Sequence, residues 1–201
     1  MTDRLAATPE GIARAAELLR AGEVVAFPTD TVYGVGVAAS RPDRLDALFE
    51  LKARPPERRI PILVAGLGQV GGQWRPDERA KLLADRFWPG ALTIVLAGEV
   101  ETQAFRAPDH PVALELIRAA GPILATSANR SGEPDTLDAD DVLIAFAGQQ
   151  DELVAVVDGG AVRGGVPSTV LDLSVTPARI VREGPITREH LAELIELAPA
   201  V

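Results

Sequence analysis

The chain has 201 residues, 47% hydrophobic and 24% charged, with a net charge of −9, enough to bury a sizeable core as one domain spanning 1–201. Its acidity excludes a dominant, non-specific nucleic-acid binder, which needs a basic surface to neutralise phosphates, and leaves any anionic ligand to a few placed cations. Zero cysteines and two histidines, His110 and His190, remove disulfides, thiolate metal sites and cysteine nucleophiles, and leave little for zinc or a Ser/His/Asp triad.

No apolar run approaches the roughly 18 residues that span a bilayer. The charged, amphipathic start lacks the apolar centre of a signal peptide, so the expected compartment is the cytoplasm. Thr8 as N-cap, Pro9 in the first turn and the stripe Ile12, Ala15, Ala16, Leu18 and Leu19 predict a helix over 9–21, stopped by Gly22. Val24 to Phe27 reads as a buried strand that Pro28 ends, so that Thr29, Asp30 and Thr31 emerge beyond it, where open α/β sheets place ligands. Gly34 and Gly36 read as a tight turn or a close approach to a ligand. Ser40 is expected to cap a helix that buries Leu45, Leu48, Phe49 and Leu51 and delivers Lys52 and Arg54 before Pro55 and Pro56 forbid continuation.

A basic loop then leads to a strand over 62–65, a helix between Pro76 and Phe87, and the strand ALTIVLA. Residues 98–111 read as a connection carrying an isolated Arg106, followed by a helix from Pro111 to Gly121. The strand PILAT runs into the turn-rich SANRSGEP, Asp138 or Asp140 starts another helix, and LVAVVD ends in Gly159 and Gly160. Two runs, TVLDL and ARIVR, suit a hairpin, and a closing helix is expected over 187–197. Helices alternating with short strands predict a layered α/β fold with a twisted mixed sheet, parallel where crossovers separate the strands. Strand ends then gather small and hydrogen-bonding residues at one edge of the sheet.

Seven cations punctuate the loops: Lys52, Arg54, Arg58, Arg59, Arg106, Arg163 and Arg182. Arg106 and Arg182 follow apolar runs, where a guanidinium can turn into a cleft and fork a carboxylate or phosphate, or else lie ion-paired on the surface. Lys52, Arg54, Arg58 and Arg59 equally suit a solvated helix end. Thr31, Ser127, Asn129, Ser168 and Thr169 offer neutral donors and acceptors or turn formation. His110 reads as a helix-entry residue, His190 as structural, and Phe87 and Trp88 as core. No GxxxxGK[ST] is present and the GxG lacks a third glycine, so a nucleotide would need a cradle of cations and hydroxyls from separate loops.

Taken in order, PTDTVYGVG, LFELKARP, PILV, FWPGALTIVL, APDHP, ATSANRSGEP, VDGG, PSTVLDL and IVREGPIT resemble the YrdC/Sua5/TsaC family of threonylcarbamoyl-AMP synthases over about residues 20–187. The resemblance implies a concave α/β sheet in a short, single-domain form. Its implied reaction, a nucleotidyl transfer, makes threonylcarbamoyl-AMP and pyrophosphate from L-threonine, bicarbonate and ATP for the t6A modification of tRNA. It further implies Mg2+ carried with ATP, no protein metal cage, and delivery to a downstream threonylcarbamoyl-transferase machinery.

By the same resemblance Lys52 and Arg54 are catalytic and hold ATP phosphates, while Thr102, Ser127, Asn129 and Arg182 complete the ATP site. Thr31, Arg106, Ala125 and Ser168 take threonine. The chain departs from the family pattern in a longer loop between Arg54 and Pro61, in Ile60, Ala65 and Pro167, and in a shorter stretch from Leu96 to Arg106. Ile60, Ala65 and the shortened stretch motivate one alternative, a non-catalytic nucleotide- or RNA-binding paralogue. A further alternative is a carbamoyl-transfer role like that of the related hydrogenase-maturation domain, against which stands the lack of zinc-finger and acylphosphatase-like segments.

Overall fold

The computed structural model describes residues 1–53, 59–149, 152–164 and 166–199. Among these residues the strands are β1 (Asp3–Ala6), β2 (Val24–Pro28), β3 (Tyr33–Ala38), β4 (Ile62–Leu63), β5 (Leu92–Ala97), β6 (Thr102–Arg106), β7 (Ile123–Ser127), β8 (Leu153–Asp158), β9 (Thr169–Asp172) and β10 (Arg179–Arg182). The helices are α1 (Pro9–Ala21), α2 (Leu45–Lys52), α3 (Glu78–Phe87), α4 (Pro111–Ala120), α5 (Ala139–Ala145) and α6 (Arg188–Ala192). The strands join one sheet in the order β1-β8-β2-β3-β7-β4-β6-β5-β9-β10. Pairing is parallel in β1–β8, β2–β8, β4–β6 and β5–β9 and antiparallel in the local pairs β2–β3, β5–β6 and β9–β10. β3–β7 and β4–β7 are also antiparallel although helices separate them in sequence, which corrects the expectation that every crossover gives a parallel pair.

Side-chain parity decides where a ligand can sit. Alternate strand residues face opposite sides of a sheet. On one side α1 and α4 bury Phe27, Ile123 and Val157 over the β1 half of the sheet. On the other side α2 and α5 cover Ala26, Val35 and Leu124, and α3 and α6 cover Ile94, Phe105 and Leu171. The first side is therefore covered over only half its width. Leu63 pairs with Arg106 and Thr93 with Val170 in register on the remaining half, which forms the floor of a cavity.

Local chemistry explains most boundaries. Thr8 accepts from Gly11 N and Gly22 closes α1 with a left-handed φ of 94°, as the sequence predicts. Asp138 caps α5 in the same way, and Asp77 caps α3, which starts at Glu78. His110 stands at the entry of α4, and the His190 imidazole closes a capping box with Thr187.

Other expectations are corrected. Pro28 does end β2, as expected, but as a paired residue: it lies opposite Tyr33, and because β8 pairs only as far as Ala26, the missing N–H leaves no rung unmade. Gly34 and Gly36 lie inside β3 and not in a turn; a Cβ at Gly36 would stand 2.4 Å from the Leu124 carbonyl oxygen, so the glycine admits β7 at close range. Ser40 does not cap α2, which follows a 3₁₀ turn over Pro42–Arg44 and has no side-chain cap. The strand expected over 62–65 holds only Ile62 and Leu63. Arg106 is no isolated loop residue, because β6 pairs with β5 as a hairpin and with β4 in parallel. The closing helix stops at Ala192, and Leu197 instead bridges Ala178. The strand β1 was not foreseen; it runs parallel to β8 at the sheet's edge.

Candidate active site

The turn between β2 and β3 is built by hydroxyls. Thr29 Oγ1 donates to the Val32 carbonyl at 2.6 Å and accepts from the backbone N–H of Thr31 and Val32, an ST-turn that fixes the loop without further secondary structure. Thr31 Oγ1 thereby faces Arg106, whose Nη1 donates to it at 3.0 Å. Arg106 is 8% exposed, and its guanidinium also donates from Nε to Gly90 O at 3.0 Å and from Nη2 to Asp30 Oδ1 at 2.6 Å. Among the described residues these bonds use three of the roughly five N–H groups of a guanidinium, leaving donors for a ligand. Burial pulls the Arg106 pKa down, Asp30 pushes it back, and the like charge of Arg182 adds to the lowering. An arginine stays charged against such shifts.

Opposite stands the β9–β10 hairpin. Arg182 donates from Nε and Nη2 to the Ser168 carbonyl at 3.1 and 2.7 Å, which fixes the guanidinium at the cavity wall. Its pKa is lowered by burial, and Asp135 opposes the shift. The Ser168 hydroxyl shares a 2.7 Å hydrogen bond with that of Thr93, and both residues are buried.

These groups share one cavity of about 580 Å³, in the size range of small-molecule sites. Thr31, Arg106, Ala125, Ser127, Ser168 and Arg182 all line it, so most of the residues singled out in sequence converge. Lys52, Asn129 and Thr102 do not line it. Lys52 is buried at 2% exposure behind the loop after β7, where its Nζ donates to the carbonyls of Ser127 and Asn129. Asn129 accepts from Ser127 Oγ at 2.6 Å and donates to Glu133 O, so both residues hold the Ser127 loop from its far side. Thr102 offers its backbone carbonyl to Arg59. Arg54 and Arg58 lie outside the described residues.

Thr93, Asp135 and Arg59 also line the cavity. Thr93 carried a legible signal, a lone hydroxyl in the apolar ALTIVLA, whereas Asp135 sits in a loop whose composition explains it as a turn residue. Among the described residues no group of three or more His, Cys, Asp or Glu is placed to hold a metal ion, and no helix is long and apolar enough to cross a membrane.

A half-bare sheet face walled by two fixed guanidiniums and several neutral hydroxyls defines an α/β protein with a groove whose chemistry suits an anion. The chain belongs to the Sua5/YciO/YrdC family, whose sequence profile, described as "Telomere recombination", matches residues 17–184. It is 41% identical to the threonylcarbamoyl-AMP synthase of Bacillus subtilis, over 97% of this chain and 59% of that protein. It is 39% identical to that of Pyrococcus abyssi, over 93% of this chain and 58% of the relative. The chain thus spans somewhat under three-fifths of the length of these two relatives. The crystal structure of P. abyssi Sua5 complexed with L-threonine superposes with a TM-score of 0.88 at 35% identity, covering 100% of this chain and 63% of that one.

Proposed function

We propose that the chain is an L-threonylcarbamoyladenylate synthase, a nucleotidyltransferase acting as one YrdC-like domain over 1–201, in the cytoplasm, for the t6A modification of tRNA. The observation that carries this reading is the convergence of Arg106 and Arg182, from β6 and β10, on one cavity lined by hydroxyls. The relatives' names and the threonine bound in P. abyssi Sua5 support the choice of substrates.

The threonine amine and bicarbonate give a carbamate with loss of water. A carbamate oxygen then attacks the α-phosphorus of ATP, and the bond to the bridging oxygen of the leaving pyrophosphate breaks. No protein nucleophile enters, so catalysis rests on positioning and charge stabilisation. In this reading Arg106, Thr31, Ala125 and Ser168 hold threonine, with the free donors of the buried guanidinium forking its carboxylate. Arg182 and Ser127 face the nucleotide. Lys52 and Asn129 position Ser127, Arg54 adds phosphate contacts by resemblance, and Thr102 contributes through its carbonyl.

ATP would bring Mg2+, which binds through one or two carboxylates and the substrate's phosphates. Asp135 on the cavity lining fits that demand. The product would pass to a downstream threonylcarbamoyl-transferase machinery that acts on tRNA.

Pyrophosphate release by the purified protein with ATP, bicarbonate and L-threonine tests the reading. Release must fall to background when threonine is omitted. Release indifferent to threonine defeats it, and tight, steeply salt-dependent RNA binding without turnover would favour a non-catalytic paralogue.

A further inference from the structure

We propose that Arg59 is a further ligand of the polyphosphate, held at the cavity mouth by Glu101 until the anion arrives. The inference rests on reading the cavity as a nucleotide site and assigns the side chain that meets the outer phosphates.

Arg59 lines the same cavity as Arg106 and Arg182, but it comes from the opposite rim, just before β4. It reaches across to the β5–β6 turn. There Nη1 lies 3.3 Å from a Glu101 carboxylate oxygen and donates to the Thr102 carbonyl. Gln103 Nε2 donates to the Ile60 carbonyl at 2.8 Å, a second tie between the two segments. The guanidinium is thus placed by the backbone around it, while its side chain remains 56% exposed and that of Glu101 50%.

The three cavity guanidiniums differ in depth and in how they are held. Arg106 is buried against Asp30 at 2.6 Å. Arg182 is exposed but is fixed by two bonds to the Ser168 carbonyl and sees Asp135. Arg59 has an exposed carboxylate opposite it, and exposed pairs are weak. A phosphate accepts two parallel N–H bonds from a guanidinium and outcompetes such a carboxylate. The gradient puts the amino-acid carboxylate deep, on Arg106, and the polyphosphate towards the mouth, on Arg182 and Arg59. It also gives Thr102, which does not line the cavity, a role through the carbonyl that seats Arg59. In a chain of net charge −9, a carboxylate at the mouth is a competitor of every incoming anion.

The test is calorimetric titration of the full chain with inorganic tripolyphosphate and, separately, with L-threonine. Arg59→Ala should weaken tripolyphosphate roughly tenfold or more, the loss of one charge-assisted contact, with threonine binding unchanged. Glu101→Gln should tighten tripolyphosphate by about two- to fivefold, since removing an exposed pair releases little. Both side chains are exposed, so melting temperatures close to the parent's will show that the variants fold. Unchanged tripolyphosphate affinity in Arg59→Ala, weaker binding in Glu101→Gln, or a parent chain that does not bind tripolyphosphate overturns the assignment. Arg59-dependent tripolyphosphate binding without threonine-dependent pyrophosphate release would sustain the assignment and defeat the synthase reading alone.

Discussion

Asp30 Oδ1 stands 2.6 Å from Nη2 of Arg106, tying the turn after β2 to the last residue of β6. Both side chains are largely buried, at 16% and 9% exposure, so neither charge is comfortable without the other. Truncating one member of such a pair leaves an uncompensated charge in a dry site, at a cost of about 3–5 kcal/mol. Asp30→Ala should lose stability on that scale in urea unfolding at neutral pH, and Asp30→Asn clearly less. A loss in Asp30→Ala no larger than that of Asp30→Asn would mean that water already screens the pair.

Arg106 and Arg182 should separate kinetically. Arg106→Ala raises the threonine requirement by roughly tenfold or more, and Arg182→Ala does the same for ATP, each losing a charge-assisted contact. Steady-state pyrophosphate release, with each substrate varied in turn, reads the split. Equal effects on both substrates would show that the two guanidiniums act as one undivided patch.

Gly164 presses on the turn that carries Thr31. A Cβ there would stand 1.1 Å from the Thr31 carbonyl oxygen, closer than any rotamer adjustment can relieve. Gly164→Ala must displace that turn, with an overpacking cost of about 1–3 kcal/mol and weaker threonine binding. Thermal unfolding and a threonine titration check it, and retained affinity would remove the turn from the threonine site.

His110 gives the protein a pH dependence of known sign. Its Nδ1 is buried with no hydrogen-bond partner among the described residues, and burial lowers the imidazole pKa while Asp30 and Asp109 oppose that shift. The unfolded chain therefore takes up a proton at about pH 6.5, where the folded chain does not yet do so. Stability contributed by the neutral imidazole is full above that value and falls as pH drops towards the lowered folded pKa. Unfolding free energy should decline on acidification below about pH 6.5, and His110→Gln should flatten that slope. An unchanged slope in the variant assigns it to other groups.

Local signals were readable in the sequence and cooperative ones were not. Thr8, Pro9 and Gly22 set α1 through bonds within a few residues, so its limits follow from the chain alone. β3 was hidden because Gly34 and Gly36 look like turn residues, and the reason for Gly36 is the backbone of β7, some 90 residues away. β6 was hidden because TQAFR has no clean alternation, and its ladder partners β4 and β5 supply the order. β1 exists by virtue of β8.

The same divide runs through the site. Arg106 and Arg182 were legible as cations after apolar runs, and Ser127 and Ser168 as strand-end hydroxyls. That Lys52 turns its ammonium into the loop carbonyls, while Arg59 reaches the cavity, depends on which way each side chain leaves the backbone, and spacing carries no record of that.

The most direct measurement is a crystal structure of the chain with L-threonine and a non-hydrolysable ATP analogue. The threonine carboxylate should lie on the guanidinium of Arg106 with the phosphates beside Arg182, both inside the one cavity. Threonine or the triphosphate bound away from that cavity, with either guanidinium untouched by ligand, would contradict the account.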